Sequence, residues 1–127
     1  MHVVIINGSP RVQKYSNTEK IIAAFGKGLS EKGSTFETYA ISNRKTWDII
    51  RAAYIKNDEI LIALPLYVEC VPGLLLEFLE TLPPKDERTR ISFLLQSGFA
   101  EGCQLRCGEA FLEKLTEYLG VRYGGWL

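Results

Sequence analysis

Short runs of β-branched and apolar residues alternate along the chain with longer segments in which apolar residues recur at helical spacing. The run VVII at residues 3–6 predicts a first strand, and residues 17–30 predict a helix. TFETYAI at residues 35–41 alternates as a half-exposed strand does, and a second helix follows over residues 46–56, with Thr46 as its candidate N-cap. Helical spacing predicts that both helices turn apolar side chains towards a core, namely Ile21, Ile22, Phe25, Leu29, Trp47, Ile50 and Tyr54.

The second half of the chain continues this alternation. EILIAL at residues 59–64 is almost continuously apolar, as expected of a central parallel strand covered on both faces, and Pro72 is suited to open the following helix. ISFLLQ at residues 91–96 predicts a fourth strand. A helix over residues 104–119 follows and is ended by Gly120 in the left-handed conformation, with inward side chains at Leu105, Leu112, Leu115 and Leu119.

Five strands separated by helices indicate a single α/β domain over residues 1–127. Strands that alternate with helices of 10 to 17 residues pair in parallel through right-handed crossovers, which gives an open sheet with helices on both faces. No helix follows the fifth strand, VRYGGWL at residues 121–127, so we expect uncovered apolar surface on one face of that sheet edge. The sequence therefore predicts a domain that lacks its last helix or covers this edge with a partner subunit.

Composition and charge exclude several classes of partner. Fifteen basic and fifteen acidic residues cancel, so the net charge offers no footprint for nucleic acid or for an anionic membrane. No segment reaches the roughly 18 apolar residues of a membrane span, and the first residues, MHVVIING, lack the basic region of a signal peptide. The three cysteines match no disulfide framework, and we expect a reduced, cytoplasmic protein.

A metal site is not expected. Cys103 and Cys107 are four positions apart, the spacing of two ligands on one helical face, but a metal site needs more ligands than two. The only histidine, His2, belongs at the opposite edge of the predicted sheet. Incidental thiols are the simpler interpretation of both cysteines.

Three loops meet at one edge of the predicted sheet. In a parallel sheet the loops after the first, third and fourth strands emerge together, beside the point where open α/β sheets bind their ligands. These loops are residues 7–18, 65–72 and 97–103, and all three are rich in glycine, proline, serine and aromatic residues. Their convergence predicts a ligand site at this edge.

The first loop has the residue types of an anion site. A helix N-terminus offers backbone N–H groups and partial positive charge, and small hydroxyl residues let an anion approach closely. The loop contains neither G-x-G-x-x-G nor G-x-x-x-x-G-K-[ST], and it has no cysteine that could serve as the nucleophile of a phosphatase. The alternative is a turn at Gly8 and Pro10 followed by a capping box of Ser16 and Glu19, and this loop alone does not decide between the two. The candidate anion-binding residues are Ser9, Arg11, Ser16, Asn17 and Thr18.

The second and third loops contribute aromatic rings. Tyr67 lies between the rigid residues Pro65 and Pro72 and is suited to flank a planar ligand, and the third loop places Phe99 after the permissive Gly98. For each ring taken alone, packing against the core is the plainer interpretation, and Gly98 taken alone merely turns the chain.

Together, the three loops resemble a known family. INGSPR followed by SNT, then PLYVECVPGLLLEFLE, then SGF are similar, in this order, to NAD(P)H-dependent FMN reductases and their flavodoxin-like relatives among NAD(P)H quinone oxidoreductases. The resemblance implies a flavodoxin-like three-layer sandwich with strand order 2-1-3-4-5, from which the last helix is missing. It also implies FMN and NAD(P)H as cofactors.

The resemblance assigns a role to each loop. It implies that the first loop binds the FMN phosphate, through Ser9, Arg11, Ser16, Asn17 and Thr18. It implies that the second borders the isoalloxazine, through Pro65, Leu66, Tyr67 and Val68. It implies that the third also lines the flavin, through Ser97, Gly98 and Phe99. The segment SNRKTWD at residues 42–48 has no cysteine, so the iron–sulfur cluster that some relatives carry there is not expected.

The resemblance predicts an enzyme that passes a hydride from NAD(P)H to the flavin and on to a quinone, free flavin or similar acceptor. The flavin supplies the redox chemistry in such a reaction, and no side-chain acid or base is obligatory for the hydride step, so no catalytic residue is assigned. The alternative is a non-catalytic or electron-carrier FMN-binding module. A net charge of zero argues against the electron carrier, because such flavodoxins are strongly acidic.

The third helix bears on quaternary structure. Its apolar residues cover more than one stripe, which indicates either extra core coverage or an interface between subunits. Homodimers are common in the family that the chain resembles, so we expect a homodimer. The residues concerned are Leu74, Leu75, Leu76, Phe78, Leu79 and Leu82.

Overall fold

A computed structural model describes residues 2–9, 17–66, 73–86, 88–97 and 112–126. Strands and helices alternate through these residues as the apolar pattern predicts. In chain order the elements are β1 (His2–Asn7), α1 (Asn17–Glu31), β2 (Thr35–Ala40), α2 (Trp47–Lys56), β3 (Glu59–Leu66), α3 (Gly73–Glu80), β4 (Arg90–Ser97), α4 (residues 112–119) and β5 (Arg122–Trp126).

The strands form one parallel, five-stranded sheet in the order β2-β1-β3-β4-β5. This confirms the predicted order. Within the sheet, β2 lies next to β1 on one side, and β3 lies next to β1 on the other. The strand order therefore reverses direction between β1 and β3, which flank the switch point. The register pairs Asn7 at the end of β1 with Ala40 of β2 and with Ala63 of β3.

The two faces of the sheet have separate cores. On one face Ile60, Ile62 and Leu64 of β3 pack with buried residues of α2, α3 and α4. On the other face Leu61 and Ala63 pack with buried residues of β1 and α1. The almost continuous apolar run predicted for β3 is therefore explained, because successive side chains of a strand point to opposite faces and both faces of β3 are covered.

The start of α2 differs from the prediction. A short 3₁₀ turn, Arg44–Thr46, precedes the helix, and Thr46 makes no side-chain cap. Its hydroxyl instead donates backwards to the carbonyl of Asn43 at 2.8 Å. The capping side chain is that of Asn43, whose Oδ1 accepts from the N–H of Lys45 at 3.1 Å and so caps the 3₁₀ turn.

The predicted left-handed cap after α4 is confirmed. Gly120 has φ +73°, and the N–H of Val121 reaches back to the carbonyl of Thr116 at 3.2 Å. The helix turns Leu112 and Leu119 into the core as predicted, and Leu115 is partly buried against it. Leu105 and the predicted helix-opening residue Pro72 lie outside the described residues.

The apolar residues of the third helix serve mainly the core. Leu75, Phe78 and Leu79 are buried, as is Leu82 just beyond the helix. Leu74 and Leu76 also pack against this core with partial exposure. These contacts favour extra core coverage, and the homodimer stays a prediction.

The sheet face beside β5 is less apolar than the sequence suggests. On the α1 side, a Cβ at Gly124 would lie 2.2 Å from the hydroxyl of Ser92, so the two residues stand side by side. Arg90 flanks them and forms an ion pair with Glu59 at 2.9 Å. The described residues of this face are therefore largely small or polar, with Leu94 as a partly buried apolar side chain. The missing last helix stays a prediction, as does the partner subunit.

Within the described ranges, none of the helices combines the length and apolar character that crossing a membrane requires.

Candidate functional site

The chain just after β1 is held by both neighbouring strands. The N–H of Gly8 donates to the carbonyl of Ala63 in β3 at 2.7 Å, and the N–H of Ile41 after β2 donates to the carbonyl of Asn7 at 3.1 Å. The carboxyl end of β1 is therefore fixed at the switch point of the sheet before the first loop begins.

Gly8 permits a close approach between this strand end and α3. A Cβ at this position would lie 2.8 Å from Cδ2 of Leu75 and 3.3 Å from the carbonyl oxygen of Ala63. A Cβ here would require the end of the Leu75 side chain to shift, so glycine allows this strand end to pack most closely against α3. The glycine at the start of the predicted phosphate loop thus has a structural reason that does not depend on a ligand.

Three buried polar residues lie at the two ends of the first loop. Asn7, Ser9 and Thr18 are exposed by only 1%, 2% and 3%. Buried polar groups require hydrogen-bond partners, and Asn7 supplies two such bonds here. Its Oδ1 accepts from the N–H of Ser9 at 2.9 Å, and its Nδ2 donates to Oε2 of Glu19 at 2.8 Å. The two ends of the connection between β1 and α1 are joined through this side chain.

The position of Glu19 bears on the alternative of a capping box. Glu19 lies in the first turn of α1, where the partial positive charge of the helix favours a carboxylate. Its Oε2 accepts from Asn7, whereas Ser16, the other half of the predicted box, lies outside the described residues. The first turn of α1 combines N–H groups with the buried hydroxyl of Thr18, which is a donor set suited to a phosphate.

The predicted site residues fall into two groups. Those that the structure describes lie where the strands end or α1 begins, at the carboxyl edge of the sheet, and they are Ser9, Asn17, Thr18, Pro65, Leu66 and Ser97. Leu66 and Ser97 are register partners at the ends of β3 and β4. The remaining predicted residues lie outside the described ranges, namely Arg11, Ser16, Tyr67, Val68, Gly98 and Phe99. The ends of β1, β3 and β4 lie at one edge of the parallel sheet, as the alternation predicts, and the binding role of each residue stays a prediction.

Sequence reasoning missed the part played by Asn7. The available signal was a polar residue that ends a wholly apolar strand and directly precedes a glycine. Such a residue is buried with its strand and has to find hydrogen-bond partners there.

A concave feature lies at the end of β2. It is a cavity of about 210 Å³ at the edge of the sheet, lined by Thr38, Tyr39, Ala40, Ser42, Asn43 and Thr46. Two of the hydroxyls in its wall bond to the protein itself, since Tyr39 donates to Glu37 and Thr46 donates to Asn43. None of the predicted site residues that the structure describes lines it.

Among the described titratable groups, those with shifted pKa values lie away from the first loop. The hydrogen bond from Tyr39 is the main reason that the pKa of Glu37 is lowered, and a bond from His2 adds to it. The same bond raises the pKa of Tyr39. Burial raises the pKa of Tyr54 to about 12, and burial lowers the pKa of Lys85.

Comparisons with known proteins give similar structures only. No protein-family model and no curated protein sequence matches the chain. The fold is similar to the apo form of an NADH:FMN oxidoreductase, with a TM-score of 0.76 and 19% identity over 98% of this chain and 74% of that one. It is similar to an FMN-dependent NADH-azoreductase from Bacillus anthracis, solved in complex with FMN, with a TM-score of 0.74 and 14% identity over 99% and 85% of the two chains. It is also similar to a flavodoxin from Streptococcus pneumoniae TIGR4, with a TM-score of 0.73 and 14% identity over 99% and 83%.

These likenesses and the strand order establish a flavodoxin-like α/β fold. The fold that the sequence resemblance implies is therefore confirmed. At identities of 14% to 19% the likeness concerns the fold, and the chemistry has to be argued from the residues of this chain.

Proposed function

We propose that this chain binds FMN and is an NAD(P)H-dependent oxidoreductase that passes a hydride to the flavin and on to a quinone, free flavin or similar acceptor. The observation that carries the proposal is the burial of three polar residues at the end of β1 and the start of α1, beside the switch point of the sheet, namely Asn7, Ser9 and Thr18. Two of the similar structures are named for NADH and FMN, which supports the same chemistry.

The described residues fit the phosphate of FMN. Ser9 just after β1 and Thr18 in the first turn of α1 are both buried and both carry a hydroxyl, and the N–H groups and the dipole at the start of α1 favour an anion. The close packing of Gly8 against Leu75 holds the backbone before the loop in place. In this proposal the phosphate is bound by Ser9, Arg11, Ser16, Asn17 and Thr18.

The other two loops hold the flavin ring in this proposal. Pro65, Leu66, Tyr67 and Val68 would border the isoalloxazine, and Ser97, Gly98 and Phe99 would also line it. Bound flavin supplies the two-electron chemistry, and the protein positions it and excludes water. With FMN bound, backbone N–H groups of these loops would donate to the ring and stabilise negative charge that develops on it.

A hydroxyl deletion tests the phosphate site. Thr18→Val keeps the volume of a side chain that is 3% exposed and removes its hydroxyl. We expect FMN affinity, measured by quenching of flavin fluorescence, to fall about tenfold, because a hydrogen bond to a charged group is lost. The affinity for riboflavin, which lacks the phosphate, should not change.

Thr116→Val is the matched control. Thr116 is also a buried helical threonine, 1% exposed, and its hydroxyl donates to the carbonyl of Glu113 within α4 at 2.7 Å. It should leave the affinities for FMN and riboflavin unchanged. A purified wild-type chain that shows no yellow flavin spectrum after FMN is added would refute the proposed function.

The electron-carrier module is the second candidate. The flavodoxin from Streptococcus pneumoniae is nearly as similar to this chain as the NADH:FMN oxidoreductase is, with TM-scores of 0.73 and 0.76. Anaerobic addition of NADH or NADPH to the FMN-loaded protein separates the two. Bleaching of the flavin supports the oxidoreductase, whereas a flavin that stays oxidised supports the carrier or a non-catalytic module.

A homodimer in the cytoplasm, without nucleic-acid or membrane partners, completes the proposal. The zero net charge supports the absence of a nucleic-acid partner. The molecular mass in dilute solution tests the dimer, and a chain that stays monomeric would count against it.

A further inference from the structure

Asn7 makes two hydrogen bonds of opposite polarity with one side chain. Its Oδ1 accepts from the backbone of Ser9, and its Nδ2 donates to the carboxylate of Glu19. The carboxamide offers both an acceptor and a donor at this spacing, whereas an ionised carboxylate only accepts. Asparagine is therefore the residue that this arrangement requires, and aspartate, which has the same shape, is not equivalent.

The partners of Asn7 lie at the two ends of the predicted phosphate loop. Ser9 is the second residue after β1, and Glu19 lies in the first turn of α1. Asn7 itself is 1% exposed, and its backbone carbonyl bonds to Ile41. Because β1 is paired with β2 on one side and with β3 on the other, Asn7 is a fixed point against which both loop ends are held.

Glu19 gives this arrangement an electrostatic consequence. Its carboxylate is negative and lies in the same helical turn as Thr18, a predicted phosphate ligand. A carboxylate close to a bound phosphate repels it and weakens its binding, so the position of the Glu19 carboxylate matters. The bond from Nδ2 of Asn7 fixes that position.

We infer that Asn7 is a positioning residue for the FMN phosphate: its amide joins the two ends of the β1–α1 connection and holds the Glu19 carboxylate against the end of β1. This inference rests on the proposed function, because FMN is the ligand whose phosphate is positioned. A purely structural role for Asn7 would affect the stability of the fold without distinguishing FMN from riboflavin.

Removal of the Asn7–Glu19 hydrogen bond tests the inference. In Asn7→Asp one oxygen still accepts from Ser9, but the other replaces the Nδ2 that lies 2.8 Å from Oε2 of Glu19 and brings two carboxylates together. We expect FMN affinity to fall about tenfold, as for loss of a charge-assisted hydrogen bond with added repulsion, while riboflavin affinity stays within about twofold of the wild type.

The double variant Asn7→Asp/Glu19→Gln supplies the rescue. The glutamine amide donates to the new aspartate, so the bond is restored with reversed polarity and with the same total charge as in the wild type. FMN affinity should return to within about threefold of the wild type. Glu19→Gln alone keeps the bond, because its amide oxygen accepts from Asn7, and should not weaken FMN binding.

Glu31→Gln is the matched control, since Glu31 is exposed at the other end of the same helix. Combined with Asn7→Asp it should give no rescue. The inference is overturned if Asn7→Asp binds FMN as the wild type does, if it weakens FMN and riboflavin equally, or if Glu31→Gln rescues as well as Glu19→Gln.

A readout without flavin separates this inference from the proposed function. In the FMN-free protein, hydrogen exchange of the Ser9 amide should be faster in Asn7→Ala, which lacks the acceptor, than in Asn7→Asp, which keeps it. A wild-type chain that binds no FMN refutes the proposed function and, with it, the role of Asn7 in phosphate binding. Hydrogen exchange of the Ser9 amide then still tests whether Asn7 joins the two ends of the loop. Equal exchange in the two variants would show that Asn7 does not hold the loop.

Discussion

The ammonium group of Lys85 caps α2 from a distant part of the chain. Its Nζ donates to the carbonyls of Tyr54 and Asn57, both at 2.7 Å, just where the helix ends at Lys56. It also stands 4.9 Å from the centre of the Tyr54 ring. A cation at the C-terminus of a helix satisfies carbonyls that have no partner within the helix and interacts favourably with its dipole. We predict that replacement of this charge destabilises the whole domain.

The magnitude follows from these contacts. Each hydrogen bond from an ammonium group contributes about 1.5–3 kcal/mol, and the helix dipole adds about 0.3–1 kcal/mol. Two factors reduce the sum: burial lowers the pKa of Lys85, which reports the desolvation of the charge, and water replaces the lost donor in part. The ion pair with Asp58 adds little, because the two groups are 3.7 Å apart and Asp58 is 62% exposed. Lys85→Met, which keeps the apolar stem, should lower the free energy of unfolding by about 2–3 kcal/mol.

Denaturant unfolding followed by tryptophan fluorescence measures this change, since Trp47 is 8% exposed and packs edge-on against Phe78. The melting temperature should fall by about 10 °C for a chain of this size. Lys27→Met is the matched control, because Lys27 is exposed on α1, and it should change stability by less than about 0.5 kcal/mol. The reasoning is refuted if Lys85→Met unfolds within about 0.5 kcal/mol of the wild type or no more easily than the control.

Three further predictions concern stability. Burial raises the pKa of Tyr54 from 10.0 to about 12, so between these values Tyr54 ionises in the unfolded chain but not in the folded one. The free energy of unfolding should therefore fall as pH rises from 10 to 12. Tyr54→Phe should flatten this loss in denaturant titrations across that range. The hydrogen bonds from Tyr39 and His2 lower the pKa of Glu37, so its small contribution to the free energy of unfolding is present above pH 4.5 and is lost as pH falls further. The stability of Glu37→Gln should therefore fall less steeply with decreasing pH than that of the wild type, and equal slopes would contradict this. Gly120→Ala should cost more than about 1 kcal/mol, because its φ is +73° and a Cβ would lie 2.9 Å from the carbonyl oxygen of Lys85. Gly28→Ala, in open space on α1, should instead stabilise the chain by about 0.5–1 kcal/mol, and thermal unfolding that ranked the two glycine variants equally would refute the argument.

The local pattern of residues was sufficient to predict the elements and their order along the chain. Apolar residues at helical spacing place one face of a helix against a core, and the doubly covered strand β3 shows as an unbroken apolar run. The cap at Gly120 was also predictable from local sequence, because the left-handed conformation after a helix favours glycine whatever the helix packs against. Parallel strands also imply that their following loops meet at one edge, so the location of the candidate site could be derived from the alternation alone.

Contacts between residues far apart in the sequence were decided only by the tertiary structure. Asn7 bonds to Glu19 across the first loop, and Lys85 caps a helix that ends 29 positions earlier, at Lys56. Thr46 looked like a helix cap, yet its hydroxyl bonds backwards because Asn43 starts a 3₁₀ turn before it. Periodicity reports which face of an element is buried, but the partner of a buried polar group depends on how elements cross and on which rotamer fits between them. By itself the sequence determined the sheet and the edge at which a ligand would bind, whereas the packing of distant elements decided which side chains hold that edge together.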